Sequence, residues 1–261
     1  MDSTVLSKFR LDNKRALVTG GGRGLGREIA IALAEAGADI VLIGRSTETL
    51  DATAADITAR GRKVQSILAD MLDSKQCVAA CQEALGSGAI DILVNNVGGR
   101  APNVAIEDMD LDQWNEGMAF NLTHYFLITK TIGKAMIERG AGGRIINLGS
   151  ISGQIVNRDV AGRHYETAKA AVIHFTRAVA ADWARHGINA NVICPGLFMT
   201  DANRRWEQID RRPIDSFVSG IPMGRTGRPE EIGPLAVYLA SPASSYVTGA
   251  SFVIDGGYSI W

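Results

Sequence analysis

Short runs of β-branched and aliphatic residues alternate along this chain with longer stretches whose apolar positions recur at helical spacing. The apolar runs predict strands at residues 15–19, 39–43, 63–68, 90–95, 143–148, 189–193 and 251–254. The segments between them read mostly as helix. One opens after the glycines at 20–26 and runs to about Gly37, one lies near 111–138, and one covers 164–184. Strands alternating with helices predict an α/β fold, a doubly wound parallel sheet of about seven strands with helices on both faces. No repeat, low-complexity block or linker divides the pattern, so residues 1–261 are expected to form a single domain. The stretch 204–221 is irregular and charged, and its place between the sixth strand and the next helix suits a lid, around 200–221, over the active site.

Composition narrows the function class. With 261 residues, 46% hydrophobic and 21% charged, the chain can bury a large core. A formal net charge of −1 gives no reason to expect nucleic acid or a membrane as partner. Met1-Asp2-Ser3-Thr4-Val5 lacks a basic segment followed by an apolar one, and no stretch has the length to span a bilayer, so a cytoplasmic location is the expectation. Three cysteines cannot all pair. Cys77 and Cys81 fall at i,i+4 on a predicted helix, but no second Cys or His pair completes a ligand set, so reduced structural thiols and no metal are expected. The four histidines are scattered, and His164, before Tyr165, reads as a loop or helix-start residue.

Tyr165-Glu-Thr-Ala-Lys169 places a phenol and an ammonium on one face of the 164–184 helix. A phenol titrates near pH ~10, but a lysine cation held close favours the phenolate, and the pair can then move protons near pH ~7. Alone, the pair reads equally as a packed Tyr beside a solvated Lys. Upstream, Ala16-Leu17-Val18-Thr19-Gly20-Gly21-Gly22-Arg23-Gly24-Leu25-Gly26-Arg27 is an apolar strand that breaks into a glycine turn and opens a helix. Such a turn lets backbone N–H groups approach a pyrophosphate at a helix N-terminus. The spacing Thr19-Gly20-x-x-x-Gly24-x-Gly26 departs from G-x-G-x-x-G, so by itself a generic glycine turn competes with that reading.

These two motifs stand in order with Asn95-Asn96-Val97-Gly98, Asn121, Ser150 and Pro195-Gly196. On that basis the chain resembles, over nearly its whole length, the single-domain branch of the short-chain dehydrogenase/reductase family. The resemblance implies a Rossmann-type sheet in the order 3-2-1-4-5-6-7 and an enzyme that interconverts an alcohol and a ketone or aldehyde with a nicotinamide cofactor. It also implies a homotetramer built on the helices near 111–138 and 164–184. The apolar tail Tyr258-Ser259-Ile260-Trp261 is expected to be covered by another subunit. One departure is Val97, where the family usually has Ala, which crowds the pocket beside the cofactor.

The resemblance also assigns roles. Tyr165 would exchange the alcohol proton, Lys169 would lower its pKa and hold the nicotinamide ribose, Ser150 would orient the carbonyl oxygen, and Asn121 would anchor a water leading from Lys169 to solvent. Ser150 is chosen over Ser152 because the fifth strand fixes its position, although the commoner family spacing to Tyr165 would select Ser152. Cofactor contacts are expected from Gly20, Arg23, Gly24, Leu25 and Gly26, from Arg45 and Ser46, from Asp70 and Met71, from Asn96 and Gly98, from Tyr165 and Lys169, and from Pro195, Gly196 and Thr200. Asn95 would have a framework role, and Asp70 would bond adenine or cap a helix. The second strand ends Ile43-Gly44-Arg45-Ser46 without the acid that holds a ribose 2′-OH, and Arg23 adds a second cation, so NADP(H) is expected over NAD(H). The competing reading has Arg45 stacking on adenine and tolerating both.

Substrate should bind beyond the strand ends, where Arg100, Arg158, Arg163, Arg204, Arg205, Arg211 and Arg212 collect. Arg100, Arg158 and Arg163, with Ser150 and Tyr165, are the substrate-binding candidates. The surplus of guanidinium suits a small polar, sugar-like and anionic substrate, unless these are solvated loop arginines. The Arg158-Asp159 pair resembles the loop of sugar-acid oxidoreductases similar to gluconate 5-dehydrogenase. Alternatives are a 3-oxoacyl-[acyl-carrier-protein] reductase and a non-catalytic NADP(H)-binding regulator.

Overall fold

The structure, a computed structural model, describes residues 4–100, 102–158 and 160–260. Seven parallel strands form one sheet: β1 Arg15–Thr19, β2 Asp39–Gly44, β3 Val64–Leu68, β4 Ile92–Asn95, β5 Gly143–Leu148, β6 Ile188–Pro195 and β7 Ser251–Ile254. Their order is β3-β2-β1-β4-β5-β6-β7, as the resemblance implied. The strand positions match the hydrophobic runs to within two residues at most ends; β4 starts later than expected, and β6 extends to Pro195.

The nine helices described are α1 Gly24–Glu35, α2 Thr47–Ala59, α3 Ser74–Gly86, α4 Leu111–Met118, α5 His124–Arg139, α6 Arg163–Trp183, α7 Asp201–Ile209, α8 Arg212–Ser219 and α9 Gly233–Ala240. Strand side chains alternate between two cores, as the period of two demands. Ala16, Val18, Ile40 and Leu42 meet α1, α2 and α9 on one face. Leu17, Val41, Ile43 and Leu93 meet α3, α5 and α6 on the other. Near-continuous apolar strands are therefore buried on both sides, as a doubly wound sheet requires. The register that pairs Asn95 with Asn147 and Asn147 with Val192 brings the carboxyl ends of the central strands to one edge.

Two expectations need correction. The helix near 111–138 is unbroken but not uniformly α: a π-helical turn, Ala119–Thr123, joins α4 to α5. The region 204–221 is not irregular but carries α7 and α8, whose apolar residues Trp206 and Ile209, then Ile214, Phe217 and Val218, recur at helical spacing beneath a high density of charge. Cys77, Cys81 and Cys194 are free and buried, and burial pushes their thiols up to about 11, 12 and 11. Among the described residues, no helix is long and apolar enough to cross a membrane, and no group of three or more His, Cys, Asp or Glu is placed to hold a metal ion.

Candidate active site

A cleft of about 840 Å³ runs along the carboxyl edge of the sheet, from Arg23 and Arg45 at one end to Tyr165 and Phe217 at the other. Its floor starts at the turn after β1. Gly20 and Gly24 adopt φ +65° and +55°, which favour glycine. At Gly26 a Cβ would lie 2.3 Å from the Gly20 carbonyl oxygen and 2.4 Å from Asn96 Nδ2, so no larger residue fits there. Arg23 precedes α1 without capping it through its side chain. The first N–H groups of α1 thus remain available to an anion, and the glycine cradle beside them fits a dinucleotide pyrophosphate.

Beyond β2, Arg45 and Ser46 line the same end as Arg23. Ser46 caps α2 by accepting from the Thr49 N–H. Arg45 is half exposed, with Nη1 3.6 Å from Asp70 Oδ2. Asp70 is not a helix cap: α3 is capped by Asp73, while Asp70 Oδ1 accepts from the Leu72 N–H in the turn before it. Met71 lines the cleft with its sulfur against Cys77. This corner therefore sets two guanidinium groups against one carboxylate.

The middle of the cleft follows β4. Asn96 donates its backbone N–H to Thr19 Oγ1 at 3.0 Å and its side-chain amide to the Thr19 carbonyl at 3.0 Å, pinning the glycine turn. Asn95 is fully buried and donates to Asn147 Oδ1 and Thr129 Oγ1; Asn147 in turn donates to Thr176 Oγ1 on α6. This chain of amides is the framework role expected of Asn95. At Gly98, φ is +154° and a Cβ would lie 2.8 Å from Asn121 Oδ1 and 3.1 Å from Lys169 Nζ. Val97 lines the cleft and packs on the α3/α5 core. Pro195, Gly196 and Thr200 line the opposite wall, with Thr200 facing Gly24.

The structure brings Asn121, Ser150, Tyr165 and Lys169 together at the far end. The π-helical turn presents Asn121, whose amide donates to the Gly99 and Gly117 carbonyls and accepts from the Gly99 N–H at 2.9 Å. Asn121 thereby fixes the backbone beside Gly98. Ser150 and Ser152 both line the cleft, but their surroundings differ. Ser150 hydrogen-bonds towards the Tyr165 hydroxyl, whereas Ser152 Oγ accepts from Asn157 Nδ2 at 2.8 Å and from Arg100 at 3.4 Å.

Lys169 lies over the Tyr165 ring, as two groups on one helix face should, while its ammonium makes its hydrogen bonds elsewhere. Lys169 Nζ donates to the Leu148 carbonyl at 2.8 Å and to the Tyr125 hydroxyl at 3.2 Å, and lies 5.9 Å from the Tyr165 ring centroid. Burial pulls the Lys169 pKa down to about 7. Burial likewise raises that of Tyr165, opposed by the Ser150 hydrogen bond and by the charge of Arg100, whose guanidinium lies 4.7 Å over the ring. Two cations thus face the phenol ring, Arg100 at 4.7 Å and Lys169 at 5.9 Å.

The arginine-rich substrate wall is also corrected. Of the loop arginines expected to line it, only Arg100 reaches the cleft. Arg163 is turned to the buried carboxylate of Glu166 at 2.8 Å and to the Asn157 carbonyl, and Arg158 is exposed outside the cleft. Arg211 pairs with Glu207 and Asp215, Arg212 pairs with Asp210, and Arg204 and Arg205 are exposed on α7. Each has a carboxylate partner or open solvent instead of the pocket. Asp159 of the Arg158-Asp159 pair and Trp261 of the apolar tail lie outside the described residues. Sequence reasoning missed Tyr125, Asn157, Glu166 and Phe217. Glu166, next to Tyr165 and three residues after Arg163, was the one with a readable signal.

The enoyl-(acyl carrier protein) reductase family profile matches residues 20–259. The chain is 42% identical over 255 residues to galactitol 2-dehydrogenase (L-tagatose-forming) of Cereibacter sphaeroides, covering 97% of this chain and 98% of that protein. It is 36% identical over 257 residues to gluconate 5-dehydrogenase of Gluconobacter oxydans, covering 97% of each. Among solved structures, a short-chain type dehydrogenase/reductase from Mycobacterium marinum superposes with a TM-score of 0.89 at 39% identity, covering 98% of this chain and 99% of that one. A 3-oxoacyl (acyl-carrier-protein) reductase from Agrobacterium tumefaciens, with NADP bound, superposes with a TM-score of 0.91 at 30% identity, covering 99% of each. The chain belongs to the short-chain dehydrogenase/reductase family and is an oxidoreductase acting on a CH–OH group.

Proposed function

We propose that this enzyme uses NADP(H) in preference to NAD(H) to interconvert a secondary alcohol and a ketone on a small, neutral, polyol-like substrate. The observation that carries this reading is one cleft shared by the glycine cradle at Gly20–Gly26 and by the Ser150–Tyr165 pair. The nicotinamide, when bound, supplies the hydride acceptor or donor. Tyr165 takes the proton of the substrate alcohol in oxidation and returns it in reduction. Ser150 donates to the reacting oxygen, and Asn121 and Lys169 hold the backbone at Gly99 and Leu148 around it. Arg23 and Arg45, with Asp70 the nearest acid, supply the charge that favours a 2′-phosphate.

The substrate end is lined by Phe120, Val160, Phe198 and Phe217, with Asn157 and Asn203 as polar contacts. Such a wall suits hydroxyl groups better than a carboxylate, because the one guanidinium there among the described residues is already bonded to Glu166. The test is the initial rate of NADP⁺ and NAD⁺ reduction with polyols matched to their aldonates and sugar phosphates. Faster turnover of the neutral members with NADP⁺ supports the reading; preference for the anions, or equal use of NAD⁺, contradicts it. The apolar wall and the kinship also admit a second reading, a 3-oxoacyl thioester reductase, which turnover of such thioesters with NADPH would favour. The proposal further takes the chain as one catalytic domain with α7 and α8 as its lid, acting in the cytoplasm as a homotetramer. Phe126 on α5, half exposed with Lys130 over its ring, supports assembly on α5 and α6, which light scattering checks.

A further inference from the structure

Arg100 sits five residues beyond the end of β4 and is held from four sides. Its Nη1 donates to the Ala161 carbonyl at 2.8 Å and more weakly to that of Gly162. Its Nη2 reaches Ser152 Oγ at 3.4 Å and Glu166 Oε1 at 3.3 Å. Glu166 is itself buried and fixed, accepting from Arg163 at 2.8 Å and from both the backbone and side-chain amides of Asn157 at 3.2 Å. Gly162, at φ +75°, lets the loop close tightly on Arg100: a Cβ there would meet the Pro102 carbonyl at 3.0 Å. The result is a planar cation locked 4.7 Å over the Tyr165 ring, well within the distance at which an aromatic face attracts a cation.

We infer that Arg100, anchored by Glu166, is the positioning residue that poises the Tyr165 hydroxyl for proton transfer. This inference rests on Tyr165 being the acid–base group. Among the described residues, the charged and titratable groups facing Tyr165 are few. Lys169, on the same helix, lies 5.9 Å from the ring with its Nζ bonded elsewhere. Glu166 and Cys194 oppose ionisation of the phenol, and Tyr125 is a buried neutral phenol. Arg100 is the nearer of the two cations over the ring, and its charge favours the phenolate. With the Lys169 pKa pulled down to about 7, its ammonium discharges as the solution becomes alkaline, whereas a guanidinium keeps its charge throughout. A cation held close to a phenol favours its ionised form.

The test is an ultraviolet difference titration of tyrosinate on the whole chain, with Tyr165→Phe as the reference that isolates the Tyr165 signal. It needs no substrate. Arg100→Gln should raise the Tyr165 midpoint by about one unit or more, and Arg100→Lys, which keeps charge but loses the fork, should raise it less. With a substrate in hand, Arg100→Gln should lower turnover about tenfold near neutral pH and recover as the pH rises. An unchanged midpoint overturns the inference, and so does a raised KM with an unshifted pH profile, which would make Arg100 a substrate contact. If Arg100→Gln does not fold, a midpoint unchanged in Arg100→Lys overturns it equally. Full turnover by Tyr165→Phe would defeat the acid–base reading of the site instead, while the titration still reports on Arg100.

Discussion

Replacing Lys169 by Met should make the folded chain more stable near neutral pH while abolishing turnover. Lys169 is 3% exposed and forms no ion pair among the described residues; its ammonium bonds only the Leu148 carbonyl and the Tyr125 hydroxyl. Its pKa falls from the ordinary 10.5 to about 7 because burial disfavours the charged form. At about 1.4 kcal/mol per pH unit, that fall places the penalty for a folded ammonium on the order of 5 kcal/mol. A methionine of similar length removes the penalty and also removes two hydrogen bonds, about 1 kcal/mol each. The net gain is on the order of 3 kcal/mol, or a rise in Tm of roughly 6–12 °C for a chain of this size. The sign depends on pH. Below pH about 7 both folded and unfolded lysine carry the proton, so the full penalty is present. Between there and pH ~10 the unfolded chain holds a proton that the folded one has released, so wild-type stability rises with pH and the advantage of the variant shrinks. The two curves should meet near pH ~9. Urea unfolding followed by circular dichroism across this range is the assay. A variant less stable than wild type at neutral pH, or a gap that does not change with pH, would refute the reasoning.

Three other changes test separate parts of the account. Gly26→Ala drives a methyl to 2.3 Å from the Gly20 carbonyl, so a loss of about 1–3 kcal/mol in urea unfolding and a large fall in NADPH binding by fluorescence are expected together; normal binding would show that the turn does not form the cradle. Ser150→Ala should remove most turnover with little change in Tm, whereas Ser152→Ala, which frees Asn157 and Arg100, should alter the pH profile more than the maximal rate. The three thiols, buried and raised to about 11–12, should react with a disulfide reagent only as fast as the chain unfolds, and rapid modification of any one would contradict their placement.

The sheet and the glycine turn after β1 were readable because their causes are local. An apolar run such as Ala16–Val18, buried on both faces, and a glycine at 26 that nothing larger can replace, both write themselves into the sequence. The stretch 204–221 was read as irregular because charge density on α7 and α8 masked the spacing of Trp206, Ile209, Ile214 and Phe217. The π-helical turn at Asn121 leaves no periodic signature, since one wider turn shifts the apolar face without interrupting it. The loop arginines illustrate a different limit. Their number is visible in the sequence, but Arg100 joins Arg163 on Glu166 from 66 residues away, a contact decided by the packing of the β4 loop on α6. Lys169 likewise shares a helix face with Tyr165, yet its ammonium goes to the end of β5, because the Leu148 carbonyl and the Tyr125 hydroxyl lie within reach there.

The most direct test of the central claim is the rate of NADP⁺ reduction with a neutral hexitol by wild type and by Tyr165→Phe, with NADPH binding measured on both. Turnover by wild type, reduced roughly a hundred- to ten-thousand-fold in the variant at unchanged cofactor affinity, is the expected result. Equal turnover by Tyr165→Phe would contradict the assignment of proton transfer to this residue.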